Sequence, residues 1–386
     1  MEHLINPRVT NIQISGIRRF YNLVADKEDM ISLTIGQPDF PTPLHVKEAG
    51  IEAIRSDKTT YTPNAGLMPL RQAISDFYTK YAPVYRPSEE IIVTVGASQA
   101  IDITLRTILQ PEDEVILPGP VYPGYEPLIS LAGGKPVLAD TTENGFKLTV
   151  SILKQYITPK TKCVILPYPS NPTGVTLTYD ELEEIADFLA KKEIFILSDE
   201  IYSELTYDDA HVSIASFPQV RDKTIIINGL SKSHSMTGWR IGFTLAPAWL
   251  SMHMLKVHQY NATCATSVSQ YAAIEALTNG LEDPVDMREA YRARRDYCLE
   301  RLENMGLTVE KPNGAFYIFP KFPIKEMTSL ELGLALVDKS GLAIVPGDAF
   351  SHLGEGYMRI SYAYSMELLQ EGMDRLERFL SSNKLT

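Results

Sequence analysis

Lys232 lies in the stretch Thr224–Gly242, T-I-I-I-N-G-L-S-K-S-H-S-M-T-G-W-R-I-G, between a β-branched run and a second apolar run that opens at Ile241. Both runs predict strands, so the lysine sits on the connection between them, and such connections carry chemistry on a rigid scaffold. A lysine flanked by Ser231 and Ser233 and backed by apolar strands is partly desolvated. Desolvation lowers its pKa and frees the neutral amine to attack a carbonyl, which is how a Schiff-base lysine is made. S-K-S alone is more often a surface lysine in a polar turn. Arg240, eight residues on, shifts the balance. A permanently charged guanidinium after a Gly-Trp pair suits a fixed dianion such as a phosphate. One loop then offers a group for a carbonyl carbon and a group for a phosphate, the two that pyridoxal phosphate carries.

Other segments carry matching chemistry. In V-T-V-G-A-S-Q-A, Val93–Ala100, an apolar run passes through Gly96 into a helical pattern. The free amides of Ala97, Ser98 and Gln99 and the positive end of the helix dipole then face one place, which is an anion site. Plain capping by Ser98 explains this segment equally well in isolation, and the phosphate reading prevails only with Lys232 and Arg240 as neighbours. Asp199 closes the run Ile194–Leu197 in L-S-D-E-I-Y. A carboxylate at the end of a buried strand is costly unless paired, and a protonated pyridine nitrogen is a partner that keeps such a ring an electron sink. Alone, Asp199 reads more simply as a cap. Tyr202 and, in Y-P-S-N-P-T-G, Asn171 can both donate to the ring's phenolic oxygen, although S-N-P-T-G by itself is a turn signal. Arg359 in Y-M-R-I-S-Y-A is costly to bury in a short apolar strand without an anion, and it is the best bidentate grip for an α-carboxylate. His234 reads as support, since the lysine can carry the proton itself, and nothing resembles metal ligation.

The segment Ser231–Gly242, S-K-S-H-S-M-T-G-W-R-I-G, resembles the lysine segment of the class I and II aminotransferases, pyridoxal-phosphate enzymes of the aspartate aminotransferase fold. The similarity runs from I-G-Q-P-D-F at Ile35 to R-I-S-Y-A at Arg359. Within the family the overall likeness is greatest to the N-acetyl-LL-diaminopimelate aminotransferases. The resemblance implies that Lys232 holds pyridoxal 5'-phosphate and that Lys232, Asp199 and Tyr122 form the catalytic set. It places Ala97, Ser98, Gln99 and Arg240 around the phosphate, Asn171, Asp199 and Tyr202 around the ring, and Ser231 among the cofactor-binding residues. Tyr122, in P-V-Y-P-G-Y, lies against the ring face, where the family often carries tryptophan; an isolated aromatic is otherwise core. Gly36, a plain turn by composition, turns its amide to the substrate carboxylate beside Asn171 and Arg359. Tyr61 of Y-T-P-N-A-G, otherwise a packed rim residue, reaches across a homodimer interface to the partner's phosphate. Ser98 departs from the pattern of aspartate-preferring bacterial relatives, which often carry a lysine there, and the departure weakens an aspartate assignment.

These residues need a scaffold. Ile91–Val95, Glu114–Leu117, Cys163–Leu166, Ile194–Leu197 and Thr224–Ile227 read as strands, with helical patterns such as Ala100–Leu109 and Glu181–Leu189 between them. Such alternation predicts an α/β fold with a mostly parallel central sheet and helices on both faces, its functional residues at the carboxyl ends of strands. Gly96-Ala97-Ser98, Asn171, Asp199 and Lys232 all fall at or just after such ends. Past Gly280 the pattern changes to a long helix, Pro284–Asn304, short strands around Phe316–Phe319 and Tyr357–Tyr362, and a last helix from Ser365, a smaller α+β domain. The expected division is an N-terminal arm over 1–30, a large domain over 31–280 and a small one over 281–386, with 31–45 open to joining the latter. In the arm, Ile12, Ile14, Ile17 and Phe20 are the residues able to pack on another surface, and a path across a partner subunit suits them.

At 386 residues the chain suits two domains, and 44% hydrophobic with 22% charged residues is ordinary for a globular enzyme. A formal net charge of -12 disfavours nucleic acid and anionic membranes. Three widely spaced cysteines without C-x-x-C suggest neither a disulfide framework nor a zinc site. No apolar run reaches bilayer length, so a cytoplasmic location is expected. A lyase on the same residues, and an aspartate or aromatic specificity, stay open beside the diaminopimelate reading with 2-oxoglutarate as acceptor. A pyridoxal-phosphate-binding regulator would need a DNA-binding domain, for which there is no room before Ile31, and a nucleotide-binding protein would show G-x-G-x-x-G or G-x-x-x-x-G-K-S/T.

Overall fold

The computed structural model describes residues 1–25, 27, 29–323 and 327–382. Its strands, in chain order, are β1 (Ile31–Ser32), β2 (Ile91–Val95), β3 (Glu114–Gly119), β4 (Lys135–Asp140), β5 (Thr161–Leu166) and β6 (Phe195–Asp199). They continue as β7 (Thr224–Gly229), β8 (Ile241–Leu245), β9 (Tyr317–Ile318), β10 (Leu342–Ala343), β11 (Val345–Pro346) and β12 (Met358–Ser361).

Seven of these strands form one sheet in the order β2-β8-β7-β6-β5-β3-β4. The pairs β3–β4, β3–β5, β5–β6 and β6–β7 are parallel, whereas β8 runs antiparallel to both β2 and β7. The expected mostly parallel sheet is present. Its strands are apolar at consecutive positions because both faces are covered, and side chains alternate between the faces with period two. In β5, Cys163 and Ile165 pack with Ile103 and Leu105 of the helix Gly96–Ile108 and Met254 of the helix Ala248–Ala262. Val164 and Leu166 pack on the other side with Leu182, Ile185 and Leu189 of the helix Tyr179–Ala190.

Strand β4 was not foreseen from sequence. Its residues, K-P-V-L-A-D, have a short apolar stretch and a proline, which suits an edge strand, and β4 closes one edge of the sheet.

Beyond the sheet the helix Pro284–Asn304 appears with the expected bounds, followed by β9, β11 and β12 in a small antiparallel sheet of order β11-β12-β9. β1 pairs in parallel with β10, Ile31 opposite Leu342, so the chain around residue 31 joins this C-terminal layer. Tyr291, Leu302, Phe316, Ile360 and Leu376 of this layer are fully buried, in a cluster shared with Tyr202, Leu205 and Tyr207 from the segment after β6. Of the N-terminal apolar residues, Phe20 is buried with Val337 and Ala343 of the same chain, while Ile14 is 73% exposed. No described helix is long and apolar enough to cross a membrane.

Candidate active site

Strands β2, β5, β6 and β7 end on one edge of the sheet, and β8, running the other way, begins there. Arg240 immediately precedes β8, so strand reversal delivers it to the same edge as Lys232. Two glycines let the segments meet. Gly96, at φ +74°, opens the helix Gly96–Ile108, and a Cβ there would lie 2.4 Å from an Arg240 guanidinium nitrogen. A Cβ on Gly242 would lie 2.4 Å from the Gly96 carbonyl carbon and 2.5 Å from the Ala97 amide nitrogen.

The helix takes no side-chain cap, which removes capping as the purpose of Ser98. The Gln99 side chain accepts from the Val95 amide at 2.7 Å and so closes the turn. Its Nε2 donates to Asn261 Oδ1 at 3.5 Å. The first-turn amides and the helix dipole therefore face the Arg240 guanidinium, which donates to the Thr237 carbonyl at 2.9 Å.

Lys232 stands on a single helical turn, Leu230–Ser233, with Ser231 buried beside it. Its Nζ donates to the Gly36 carbonyl at 2.6 Å. Burial pushes the ammonium down to about 8, with Arg359 and Arg240 adding to the shift and Asp199 opposing it. Asp199 ends β6. Its Oδ2 accepts from the Tyr125 hydroxyl at 2.6 Å and its Oδ1 from the Ile201 amide at 3.3 Å. Burial pushes its carboxyl up to about 6, against the pull of those two donors. Tyr122 lies edge-on to Tyr125 with ring centroids 5.5 Å apart. Gly124 makes this possible, since a Cβ there would come within 2.3 Å of the Tyr122 ring.

Arg359 is 1% exposed in β12. It donates to Asn171 Oδ1 at 3.0 Å and to the Thr34 carbonyl at 2.6 Å, and its guanidinium lies 4.4 Å from the centre of the Tyr317 ring. Its Nε is buried without a partner, a cost of about 1–3 kcal/mol that an arriving carboxylate would relieve. The hydroxyls of Tyr202 and Tyr317 are 2.9 Å apart. His234 is buried and held neutral by that burial, bonded to Ser233 and to the Gly280 carbonyl, a support as expected.

All these groups line one cleft of about 360 Å³: Gly36, Ala97, Ser98, Tyr122, Asn171, Asp199, Tyr202, Ser231, Lys232, Arg240 and Arg359. Two proposed residues are not in its lining. Gln99 faces its own turn, and Tyr61 is 86% exposed on the surface. Sequence reasoning missed Tyr125, Tyr317, Ile17 and Gln37, which also line it. No local spacing singles out Tyr125, which opens the helix Tyr125–Ala132 while Tyr122 lies before it. Among the described residues no group of three His, Cys, Asp or Glu side chains could hold a metal.

The model of the family described as aminotransferase class I and II matches residues 28–376. A protein of Bacillus subtilis strain 168 named probable N-acetyl-LL-diaminopimelate aminotransferase is 60% identical over 98% of this chain and 96% of its own length. Among solved structures, the aromatic aminotransferase of Pyrococcus horikoshii superposes with a TM-score of 0.90 at 44% identity, over 96% of this chain and all of that one. The aspartate aminotransferase of Thermus thermophilus with maleate gives 0.92 at 36% identity, over 97% and 99% of the two chains. This chain belongs to the class I and II aminotransferases.

Proposed function

We propose that the chain is a pyridoxal-phosphate-dependent aminotransferase of the cytoplasm that takes N-acetyl-LL-diaminopimelate as amino donor and 2-oxoglutarate as acceptor. The observation that carries the reading is the convergence of Lys232, Asp199, Arg240 and Arg359 on one cleft at the carboxyl edge of the sheet. The residues present fit the cofactor. The glycine-lined cradle at Gly96 and Gly242, faced by Arg240, suits a phosphate, and a buried carboxylate at the other side of the lysine suits a pyridinium nitrogen.

When bound, pyridoxal phosphate supplies a carbonyl that captures amino groups and a ring that withdraws electrons from the captured carbon. The chain does the rest. Ala97, Ser98, the Gln99 amide, Ser231 and Arg240 would hold the phosphate, and Tyr122 would lie against the ring. Asn171 and Tyr202 serve its phenolic oxygen. Asp199, ionised against its own burial, holds the pyridine proton. Arg359, steadied by Asn171, grips the α-carboxylate through the Nε that has no partner, with Gly36 beside it. Lys232, with its amine pushed down to about 8, is partly neutral near pH 7, and when not bonded to the cofactor it would take the proton from the substrate Cα and deliver it, across the nitrogen, to the cofactor's carbonyl carbon.

A panel of donors with 2-oxoglutarate tests the substrate. We expect kcat/KM for N-acetyl-LL-diaminopimelate to exceed those for aspartate and phenylalanine by at least about tenfold, about 1.4 kcal/mol of discrimination. Ser98 supports this order, since no cation stands there for aspartate's second carboxylate. Aspartate or phenylalanine turned over best would overturn the donor while leaving the class in place.

The active unit in this reading is a homodimer in which Tyr61 of each chain reaches the other's phosphate. Its exposure supports this, as do the exposed Leu44, Ile54, Met68 and Tyr260. Mixing Lys232→Ala chains with Tyr61→Phe chains should yield hybrids with one intact site, and activity above the sum of the parents should appear after subunit exchange. A fully active monomer by light scattering would refute it. The division into a large domain up to residue 280 and a small one over 281–386, with the chain around residue 31 joining the latter, belongs to the same proposal, and the pairing of β1 with β10 supports that joining.

A further inference from the structure

Tyr317 has no part in the roles above, yet it touches three of them. Its hydroxyl lies 2.9 Å from that of Tyr202. Its ring carries the Arg359 guanidinium, 4.4 Å from the ring centre. Against Gly36 the hydroxyl packs so closely that a Cβ there would sit 2.7 Å from it. At 1% exposure Tyr317 is fully buried, and strand β9, paired with β12 through Ser361 opposite Tyr317, holds it beside the strand that bears Arg359.

The hydroxyl pair has a direction. Each phenol has one proton to donate and lone pairs to accept with. If Tyr202 spends its proton on the phenolic oxygen of bound pyridoxal phosphate, its oxygen is left as acceptor, and the proton between the two tyrosines must come from Tyr317. A donor that is itself hydrogen-bonded is polarised and donates more strongly. We propose that Tyr317 is a positioning residue that donates to Tyr202, aims the Tyr202 O–H at the cofactor's phenolic oxygen, and with its ring face seats Arg359 for the substrate carboxylate. This rests on the cofactor reading given above.

The two halves of the role separate experimentally, because phenylalanine keeps the ring and leucine keeps neither ring nor hydroxyl. A donor to the phenolic oxygen would stabilise its anionic form, so losing that donor would raise the pH at which the visible band of the loaded protein titrates. The test is a pH titration of the visible band of the holoenzyme. Tyr317→Phe is expected to move the midpoint upward by about half a unit to one unit, the size of one lost neutral hydrogen bond. Its KM for the amino acid should change less than about twofold, since the ring under Arg359 remains. Tyr317→Leu should shift the midpoint likewise and raise KM by roughly tenfold, the scale of a lost cation–π contact at a desolvated site. In a Tyr202→Phe background, Tyr317→Phe should add no further shift, because it acts through Tyr202.

A Tyr317→Phe midpoint equal to the parent's, or a shift that persists undiminished without the Tyr202 hydroxyl, would overturn the inference while the cofactor reading stood. A parent chain with no titrating visible band in the presence of pyridoxal phosphate would overturn both. Should Tyr317→Phe fail to fold, Gly36→Ala carries the same test, because a methyl 2.7 Å from the Tyr317 hydroxyl must push it off Tyr202. The same upward shift is then expected, and an unmoved midpoint overturns the proposal.

Discussion

Replacing Lys232 by alanine is expected to lower kcat for transamination by at least about 10⁴-fold, the full range of positioned acid–base catalysis, with loss of the covalent anchor added to it. The size follows from the absence of a substitute: among the charged groups lining the cleft, Arg240 and Arg359 cannot give up a proton, and Asp199 is committed to Tyr125 and the Ile201 amide. Single-turnover kinetics on protein saturated with pyridoxal phosphate would measure it. Substantial residual turnover would remove Lys232 from its proposed role. Because burial pushes the parent amine down to about 8, the rate of the parent's proton transfer at Cα should rise with pH up to that value and level off above it.

Asp199→Asn should lower kcat by roughly 100-fold or more, comparable with deleting one preorganised charge-stabilising group, with the cofactor still bound. The same change has an opposite effect on the chain without cofactor. Burial pushes the Asp199 carboxyl from its ordinary 3.8 up to about 6. Below the lower value the group is protonated whether the chain is folded or not. As pH rises between the two values, the unfolded chain releases a proton that the folded chain retains, so stability falls and stays lower above the higher value. Asparagine does not titrate. Cofactor-free Asp199→Asn should therefore gain about 2 kcal/mol over the cofactor-free parent at pH 8 compared with pH 4, read by urea unfolding. A difference that is the same at both pH values would show that Asp199 is not desolvated. The opposed outcomes separate a site carboxylate, kept ionised at a cost to the fold, from a stabilising cap.

Much of this was legible because the chemistry lies in short contiguous segments. Lys232 and Arg240 occur in one loop, and strand ends could be located from apolar runs such as Cys163–Leu166, whose burial on both faces leaves no polar alternation to confuse the pattern. Tyr125 and Tyr317 were not legible in the same way. Each acts through a hydroxyl bonded to a residue distant in sequence, Asp199 for the first and Tyr202 for the second, and no local spacing encodes such a pair. Gln99 illustrates the converse. Its place in the G-A-S-Q turn suggested a phosphate contact, but the side chain satisfies the Val95 amide, a backbone need that composition does not display. Strand β4 escaped because an edge strand with Pro136 buries only part of its length.

The reversal of β8 reaches further than the position of one arginine. Gly229 pairs with Gly242 across β7 and β8, so the connection over 230–240 leaves and re-enters the sheet at neighbouring points. A parallel β8 would need a crossover, usually a full helix, and would start about 17 Å away at the opposite edge. Lys232 and Arg240 are thus coupled by chain connectivity. An insertion or deletion within this loop displaces the amine and the guanidinium together, whereas one in the loop after β5 displaces Asn171 and leaves the other two in register. Loop lengths among relatives should accordingly vary least here, and a transplant of this segment between scaffolds would move both functions as one unit.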